Sequence, residues 1–284
     1  MRYKEVKEKI TGSYESLPKN HQKIAHYIIE NFDAIPFLNV HEISHATSSS
    51  VASIVRFAQR TGFSGYSELR DAITKSLKTQ LTNKEIFPLF EKDKIEEDLL
   101  TSVANLDIKN INDTLNLIDR ESFNNTVDLI LISKKVYTAG LGISYLLAEI
   151  LAYQLNQVAV NASTFKHSHT LFHEQILFLG KNDLIIAFSF PPYSKETVEA
   201  AKFACDKGIK VISITNKPAS PITFYSAANL IVKSENMLFT NSFAAISVLI
   251  NAVATQCALK NKAKAKKFLK ETYDIAESQD QIIL

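Results

Sequence analysis

The sequence has few cysteines and almost no excess of charge, and both shortages limit what the protein can be. Its 284 residues include two cysteines, Cys205 and Cys257, in patterns typical of buried helix positions. A disulfide framework or a thiolate metal site is therefore not expected. The 32 Lys and Arg nearly balance the 30 Asp and Glu, which excludes a wholly basic nucleic-acid-binding protein. Any nucleic-acid contact must come from a local group of charges.

The chain also lacks an apolar segment of the kind that directs export or crosses a membrane. The N-terminal stretch "MRYKEVKEKI" is charged throughout, so a signal peptide is not indicated and a reducing cytoplasm is the expected location. One long uncharged segment, Asn236 to Leu259, carries polar residues at intervals along its length. Because polar groups are costly in lipid, we expect no membrane partner there and predict a helix buried in a core or a dimer interface.

The first 80 or so residues contain only helical patterns. In "LPKNHQKIAHYIIENFDAI" the spacing of Ile24 and Ile28 predicts an amphipathic helix behind a Pro-Lys-Asn start. In "NVHEISHAT" the residues Val40, Ile43 and Ala46 fall on one face of a second helix. We expect a small all-helical domain.

Three serines, Ser48 to Ser50, separate that second helix from a further short helix that Gly62 ends. Ser50 is well placed to cap the N-terminus of this further helix. Its pattern predicts one face toward the core and one toward solvent. The predicted inward residues are Ala52, Val55 and Ala58 or Gln59, and the predicted outward residues are Ser53, Arg56 and Arg60.

Two short helices joined by a tight turn, with hydroxyls and arginines facing outward on the second, are typical of the helix-turn-helix that enters a DNA major groove. Residues 1–80 contain 11 Lys and Arg against 8 Asp and Glu, a mildly supportive surplus. Other short helical domains also combine a serine cap with exposed arginines, so the pattern alone leaves DNA binding open. The predicted contacts to double-stranded DNA are Ser48, Ser50, Ser53, Arg56, Arg60, Ser64 and Tyr66.

A different pattern in the second half predicts a second domain. Residues 79–100 contain Pro88 and mixed charges, which suit a hinge, and "VANLDIKNINDTLNLIDRESFNNTVDLILIS" continues as helix. Short apolar runs then alternate with helical spans, which predicts a parallel sheet wrapped by helices. These runs cover 135–140, 157–163, 183–190, 210–216 and 228–235. The expected organisation is a helical domain over 1–80, a linker over 81–104 and an α/β domain over 105–284.

Two loops after predicted strands are candidate ligand sites, because such sheets bind ligands at the carboxyl ends of their strands. "GLGIS", from Gly140 to Ser144, follows a strand and opens a helix, an arrangement suited to phosphate. "SFPPYSKET", which begins at Ser189, has the same design, with Ser194 as the expected N-cap. The first loop lacks the third glycine of the dinucleotide fingerprint, so no nicotinamide cofactor is expected.

Three histidines and a run of lysines carry weaker signals. His167, His169 and His173 lie together in "KHSHTLFHE". No further acidic or cysteine ligand is obvious, so we favour a polar lining or a dimer contact over a metal site. The lysines between Lys260 and Lys270 resemble a nucleic-acid patch, but on a terminal helix they are more typical of a solvated face.

Together these stretches resemble the RpiR/MurR family of bacterial transcriptional regulators, and the resemblance covers nearly the whole chain. "SSSVASIVRFAQRTGFSGYSELR" is similar to the recognition segment of that family, with Ser53 where Thr is commoner. "TAGLGISYLLAEILAYQL" resembles the first loop and helix of a sugar isomerase (SIS) domain, and "AFSFPPYSKETVEAAKFACDKGIKVISITNKPASPITFYSAANLIV" resembles the rest of its sheet. The resemblance implies an all-α helix-turn-helix domain followed by an α/β SIS domain, in which helices flank a parallel five-stranded sheet.

The resemblance also implies a phosphosugar ligand. In many SIS domains the second loop reads Ser-x-Ser-Gly-x-Thr, and here Pro191 and Pro192 replace the second serine and the glycine. One hydroxyl and one backbone donor are therefore missing, because proline has no N–H. The implied phosphosugar-binding residues are Gly140, Gly142, Ser144, Ser189, Ser194 and Glu235. Glu235, His167 and His169 also lie where a sugar contact or a general base could be expected, but they form no convincing catalytic group.

The expected function is a phosphosugar-responsive transcriptional regulator of carbohydrate metabolism that works as a dimer or tetramer, without a cofactor and without turnover. Two alternatives stay open. One is a sugar-phosphate aldose–ketose isomerase with an N-terminal oligomerisation cap, and the other is a regulator whose SIS domain only dimerises.

Overall fold

The protein folds into two compact units, one formed mainly by residues 1–96 and the other mainly by residues from 97 onward. The computed structural model describes residues 3–82, 98–166, 170–237 and 241–278, with side chains from residue 6 to residue 77 in the first range. Within these ranges no helix combines the length and apolar character needed to cross a membrane.

The first unit is helical, as its sequence patterns predict. Its helices are α1 (Tyr3–Ser13), α2 (Lys19–Glu30), α3 (Val40–Thr47), α4 (Val51–Arg60) and α5 (Tyr66–Thr82). One apolar core joins them, because each helix carries large apolar side chains at three- and four-residue spacing. Its fully buried members include Ile10, Ile24, Ile28, Ile43, Ile54, Phe57, Leu69 and Ile73.

Local capping fixes where α3 begins and where it ends. The Asn39 side chain accepts hydrogen bonds from the N–H groups of His41 and Glu42, at 2.9 and 3.0 Å, and the Glu42 carboxylate accepts from the Asn39 N–H at 2.7 Å. This reciprocal arrangement is a capping box. Ser48 ends the helix in the left-handed conformation, with φ of 49°. One detail of the predicted inner face is wrong, because Ala46 is exposed and Thr47 is buried in its place.

The second unit opens with two helices where one continuous helix is predicted. These are α6 (Leu99–Leu117) and α7 (Arg120–Ile132). Ile118 is extended, and Asp119 accepts hydrogen bonds from the N–H groups of Glu121 and Ser122, at 3.4 and 2.8 Å. Asp119 thus starts a new helix by capping it, which the apolar periodicity alone does not reveal.

The remaining elements alternate strands with helices. They are β1 (Val136–Ala139), α8 (Ile143–Gln157), β2 (Ala162–Thr164), α9 (Phe172–Ile176), β3 (Leu184–Ser189), α10 (Lys195–Asp206), β4 (Lys210–Thr215), β5 (Ala228–Ile231), α11 (Ala244–Lys260) and α12 (Lys262–Ser278). Each strand lies within or overlaps one of the five predicted apolar runs. Within the uncharged segment, α11 begins at Ala244, and one face of this helix is buried in the core of the unit.

The five strands form one parallel sheet in the order β2-β1-β3-β4-β5, which confirms the predicted fold class. Every residue of β3 is buried, as expected for the central strand of a parallel sheet. The chain proceeds from β1 outward to β2 and then returns to β3 on the other side. The boundary between β1 and β3 is therefore the topological switch point, where sheets of this order bind ligands.

Candidate functional site

The outward face of α4 differs from the predicted one. Ile54, Phe57 and Ala58 are buried, whereas Ala52 and Gln59, both predicted to face inward, are exposed, and Val55 is half-buried. The larger apolar side chains take the core positions, and this rotates the helix relative to the prediction.

The solvent face of α4 consequently groups residue types that read DNA bases. Arg56 and Arg60 are exposed, as predicted, and Ser53 is half-buried. Arginine pairs with guanine, glutamine pairs with adenine, and a small apolar side chain contacts the methyl group of thymine. Arg56, with its neighbours Ala52 and Gln59, therefore gives α4 an exposed surface of mixed chemistry.

The three serines between α3 and α4 have separate structural roles. Ser50 is exposed, and its Oγ accepts the Ser53 N–H at 3.2 Å, which confirms the predicted N-cap. Ser49 is buried, and its hydroxyl donates to Oδ1 of Asn20 at 2.9 Å. Ser48 is exposed in its left-handed conformation. Ser48 and Ser50 are thus placed at the surface beside the start of α4, whereas Ser49 ties the turn to α2.

Two residues after α4 do not suit the predicted phosphate contacts. Tyr66 is only 6% exposed, and its hydroxyl donates to the Leu38 carbonyl at 2.7 Å. The structure therefore does not support a phosphate contact by Tyr66, because its ring fills the core and its hydroxyl is already bonded. Ser64 is exposed, but its N–H donates to the Glu68 carboxylate. A negative charge beside Ser64 opposes the approach of a phosphate.

We expect Tyr66→Phe to affect folding and not DNA binding. The substitution keeps the ring and removes the hydroxyl, which leaves the buried Leu38 carbonyl without this donor. The free energy of unfolding should fall by about 0.5–1.5 kcal/mol. Chemical denaturation measures this loss, and DNA titration of the folded variant should give the wild-type affinity. A weaker affinity at unchanged folding would return Tyr66 to the DNA contacts.

A buried histidine lies beneath α4. His21 of α2 is 8% exposed, its ring packs edge-on against Phe57 with centroids 6.2 Å apart, and its Nδ1 has no hydrogen-bond partner in the described structure. Burial lowers the pKa of His21 below its ordinary value of 6.5, and the charges of Arg60 and Arg56 lower it further. His21 is therefore neutral in the folded protein near neutral pH.

This lowered pKa makes the first unit less stable in mild acid. The unfolded chain takes up the His21 proton at a higher pH than the folded chain does, so the free energy of unfolding falls as the pH drops below the ordinary value of 6.5. We expect the dependence to be smaller in His21→Gln, which cannot titrate there. Unfolding temperatures of both proteins, measured from about pH 7.5 to pH 5.5, check this. Parallel curves would show that His21 does not contribute.

The first predicted ligand loop leaves the sheet at the switch point. The register places Ala139 beside Ala187, so the loop that starts at Gly140 emerges next to the end of β3. Gly142 has a positive φ of 62° and precedes α8. Ser144, in the first turn of α8, is buried at 6% exposure, and its hydroxyl forms no hydrogen bond within the described residues. A helix N-terminus and a hydroxyl thus meet at this loop.

The second loop brings further hydroxyls to the same edge. Ser189 ends β3 at 3% exposure, Thr197 lies in the first turn of α10 at 1% exposure, and the side-chain oxygens of both have no hydrogen-bond partner in the described structure. Ser194 is the N-cap of α10, and its Oγ accepts the Thr197 N–H at 3.3 Å. Buried hydroxyls are normally bonded, so Ser189 and Thr197 are candidates for contact with a polar ligand. Thr197 is absent from the predicted set, because only its burial distinguishes it.

Neighbouring loops hold the proline segment in place. The peptide between Pro191 and Pro192 is cis. The Pro191 carbonyl accepts Nδ2 of Asn241 at 2.6 Å, and the Tyr193 hydroxyl donates to Oδ1 of Asn216 at 2.8 Å. The loops that follow β3, β4 and β5 are therefore connected by side-chain hydrogen bonds at this edge.

The structure does not support Glu235 as a ligand contact or a base. Its carboxylate lies 3.2 Å from Nζ of Lys109, and its backbone N–H and carbonyl both bond to the Asn110 side chain. Glu235 follows β5, and β4 lies between β5 and β3. The spacing of neighbouring strands places β5 about 10 Å from β3. Glu235 therefore holds α6 against the sheet. Of the three predicted histidines, His173 packs on Phe203, and His167 and His169 lie outside the described residues.

Family models match both units of the chain. The family described as "Helix-turn-helix domain, rpiR family" matches residues 4–80, and the family described as "SIS domain" matches residues 129–256.

Similar proteins extend over most of the chain. An HTH-type transcriptional regulator of Haemophilus influenzae is 28% identical over 227 residues, which are 78% of this chain and 77% of that protein. YbbH, an HTH-type transcriptional regulator of Bacillus subtilis, is 27% identical over 246 residues, 84% of each chain. The structure of Vibrio vulnificus NanR complexed with ManNAc-6P has a TM-score of 0.62 at 24% identity, and the match covers 96% of this chain and 98% of that chain. This structural match shows a shared fold.

Proposed function

The chain belongs to the rpiR family of helix-turn-helix transcriptional regulators with a SIS domain, and we propose that a phosphosugar bound at the carboxyl edge of its sheet controls its binding to double-stranded DNA. The observation that carries this proposal is the pair of buried, unpartnered hydroxyls of Ser189 and Thr197 at the switch point. They lie beside the first turns of α8 and α10, whose N–H groups favour anions. The ManNAc-6P bound by NanR, which shares this fold, is an amino-sugar phosphate and supports this ligand class.

Pro191 and Pro192 of the second loop reduce the number of groups that can hold a phosphate there. Pro191 and Pro192 carry no N–H, so this loop offers fewer donors than its relatives with serine and glycine. The remaining candidates are Ser144, Ser189, Ser194 and Thr197, together with the backbone at Gly140 and Gly142. We propose that Ser144 and the start of α8 make the principal phosphate contact, because that loop is free of proline.

We propose a homo-oligomer, with a dimer as its basic unit. On the outer surface of the second unit, Leu146, Ile150 and Tyr153 of α8 and Val248 of α11 are exposed. Gln154 of α8 donates to Asn251 of α11 at 2.7 Å, so the two helix surfaces adjoin. Beside them, α6, α7 and α11 line an apolar groove of about 430 Å³. Adjoining exposed apolar side chains favour an interface between two copies of the chain.

Dimerisation links the two proposed sites. One helix-turn-helix makes few phosphate contacts, and a symmetric pair reads two half-sites at a fixed spacing. A ligand that favours one placement of the subunits changes that spacing, and the change in DNA affinity is the coupling free energy between the sites. A regulator of this kind works in the cytoplasm, where its DNA lies, and its regulated genes belong to carbohydrate metabolism.

We propose binding without turnover. An aldose–ketose isomerase needs a general base beside the sugar. Glu196 in the second candidate loop and Glu235 after β5 already hold structural positions. Glu196 accepts the Phe172 N–H at 3.1 Å, and Glu235 pairs with Lys109.

The test is DNA binding with and without sugar phosphates. The purified protein is titrated with DNA from upstream of its own gene and of neighbouring operons, alone and with a panel of hexose and amino-sugar 6-phosphates. The unphosphorylated sugars serve as matched controls. We expect one phosphosugar to change the affinity for DNA and its unphosphorylated form to leave that affinity unchanged.

Turnover of any member of the panel would support the isomerase alternative. Specific DNA binding that no sugar phosphate alters, without thermal stabilisation of the protein, would leave the SIS domain as a dimerisation module.

A further inference from the structure

Half of the Lys and Arg side chains that the structure describes in the first unit have no ion pair or hydrogen bond with another described residue. Of the eight Lys and Arg side chains that the structure describes between residues 6 and 77, four are engaged. Lys9 donates to the Gly62 carbonyl at 2.9 Å, Lys7 lies over the Phe32 ring, Arg70 pairs with Asp71, and Lys75 also has a partner. The four exposed cations that have neither an ion pair nor a hydrogen bond within the described residues are Lys19, Lys23, Arg56 and Arg60.

Contacts between α2 and the helix-turn-helix place these four cations in one region. Asn20, between the two lysines, accepts the Ser49 hydroxyl of the turn at 2.9 Å. His21, the next residue, packs against Phe57 of α4. The charges of Arg56 and Arg60 are close enough to His21 to lower its pKa. The first turn of α2 therefore lies beside the start of α4.

The lysines occupy the solvent side of that turn. His21, Ile24, Ala25 and Ile28 form the buried face of α2. Lys19 and Lys23 are four residues apart and both exposed, so they share one strip of the helix surface. Cations gathered without acidic partners repel one another, and a polyanion removes that repulsion when it binds.

We infer that Lys19 and Lys23 bind phosphates of the DNA strand beside the groove that α4 enters, so that α2 is a second DNA-contacting element. This inference rests on the proposed function of the first unit. The hydrogen bond from Ser49 to Asn20 fixes the position of the lysines relative to the recognition helix. Lysine is suited to this role because it contacts phosphate as a point charge and carries no sequence information.

The experiment compares two charge-matched double variants of the full chain. Lys19→Gln/Lys23→Gln removes the proposed contacts, and Arg70→Gln/Lys75→Gln removes two cations of the same unit that have protein partners. Each is titrated with operator DNA and with a random-sequence duplex over a range of salt. We expect the first variant to bind both duplexes more weakly by about 10- to 100-fold at 0.1 M salt, with a salt slope smaller by about 2. Thermal unfolding confirms that both variants are folded.

The outcomes separate this inference from the proposed function. If the first variant binds like the control variant, with an unchanged salt slope, α2 makes no phosphate contact and the inference is overturned. The inference is also overturned if the loss is confined to operator DNA, because phosphate contacts act on every sequence. If the wild-type protein binds neither duplex, the proposed DNA-binding function itself has failed.

Discussion

Arg56→Ala should weaken operator binding by about 1–3 kcal/mol if the side chain reads a base, and the loss should be largest at one base pair of each half-site. Arg56 lies on the exposed face of α4 between Ala52 and Gln59, and no group of the described structure neutralises it. Recognition helices contact base edges through residues near their N-terminal end. Arg56 is in the second turn of α4, whereas Arg60 is its last residue.

Salt dependence distinguishes the two possible roles of Arg56. Loss of a base contact lowers operator affinity and leaves binding to random DNA nearly unchanged. Loss of a phosphate contact lowers both, and the salt slope falls by about 1. Arg70→Ala is the matched control, because Arg70 lies on α5 and pairs with Asp71. If Arg56→Ala binds operator DNA as tightly as this control does, Arg56 is not part of the DNA surface.

The general architecture can be predicted from two local sequence patterns, the apolar runs and a helix cap. Five apolar runs alternating with helical spans predict the parallel sheet, because a strand buried on both faces reads as a continuous apolar run. The serine before α4 predicts its cap, because few residue types satisfy a helix N-terminus. Both features depend on residues close together in sequence, and the structure confirms both.

The details that sequence reasoning misses depend on contacts between distant residues. The sequence pattern does not predict the rotation of α4, because small residues such as Ala52 are compatible with either face. Packing of Phe57 against α2 decides between the two faces. The sequence predicts that Tyr66 contacts DNA, yet its hydroxyl donates to the carbonyl of Leu38, which is 28 positions earlier in the chain. Glu235 meets Lys109 across 126 positions. Local patterns contain no information about such pairs.

Among the proposed ligand-site residues, the sequence predicts the positions of the loops better than the surroundings of individual side chains. Gly140, Ser144, Ser189 and Ser194 all lie at the carboxyl ends of β1 and β3 or in the adjoining helix starts. The parallel topology places these residues together, because the carboxyl ends of all parallel strands lie at the same edge of the sheet. Thr197 is absent from the predicted set because its place in the first turn of α10, three residues after the N-cap Ser194, carries no sequence signal for a ligand contact. Its unpartnered hydroxyl becomes evident only in three dimensions.

Gly140→Ala should abolish the response to the phosphosugar. A Cβ at this position would lie 2.5 Å from the Ser144 carbonyl oxygen and 2.8 Å from its Cβ. The obstructing carbonyl belongs to the backbone of α8, so the clash is relieved only if the loop and the helix start move apart. That movement displaces Ser144 and the N–H groups proposed to hold the phosphate. Overpacking of this kind costs about 1–3 kcal/mol of stability.

Thermal unfolding and DNA titration, each with and without the phosphosugar, measure the two effects. The matched control is Gly180→Ala in the same unit, where the nearest atom to a new Cβ is 3.9 Å away. We expect Gly180→Ala to keep both the stabilisation by ligand and the change in DNA affinity, and Gly140→Ala to lose both while still binding DNA through α4. Full stabilisation of Gly140→Ala by the phosphosugar would mean that the ligand lies away from this loop. The switch point would then not be the sensing site, because no ligand can contact Ser144 while tolerating its displacement.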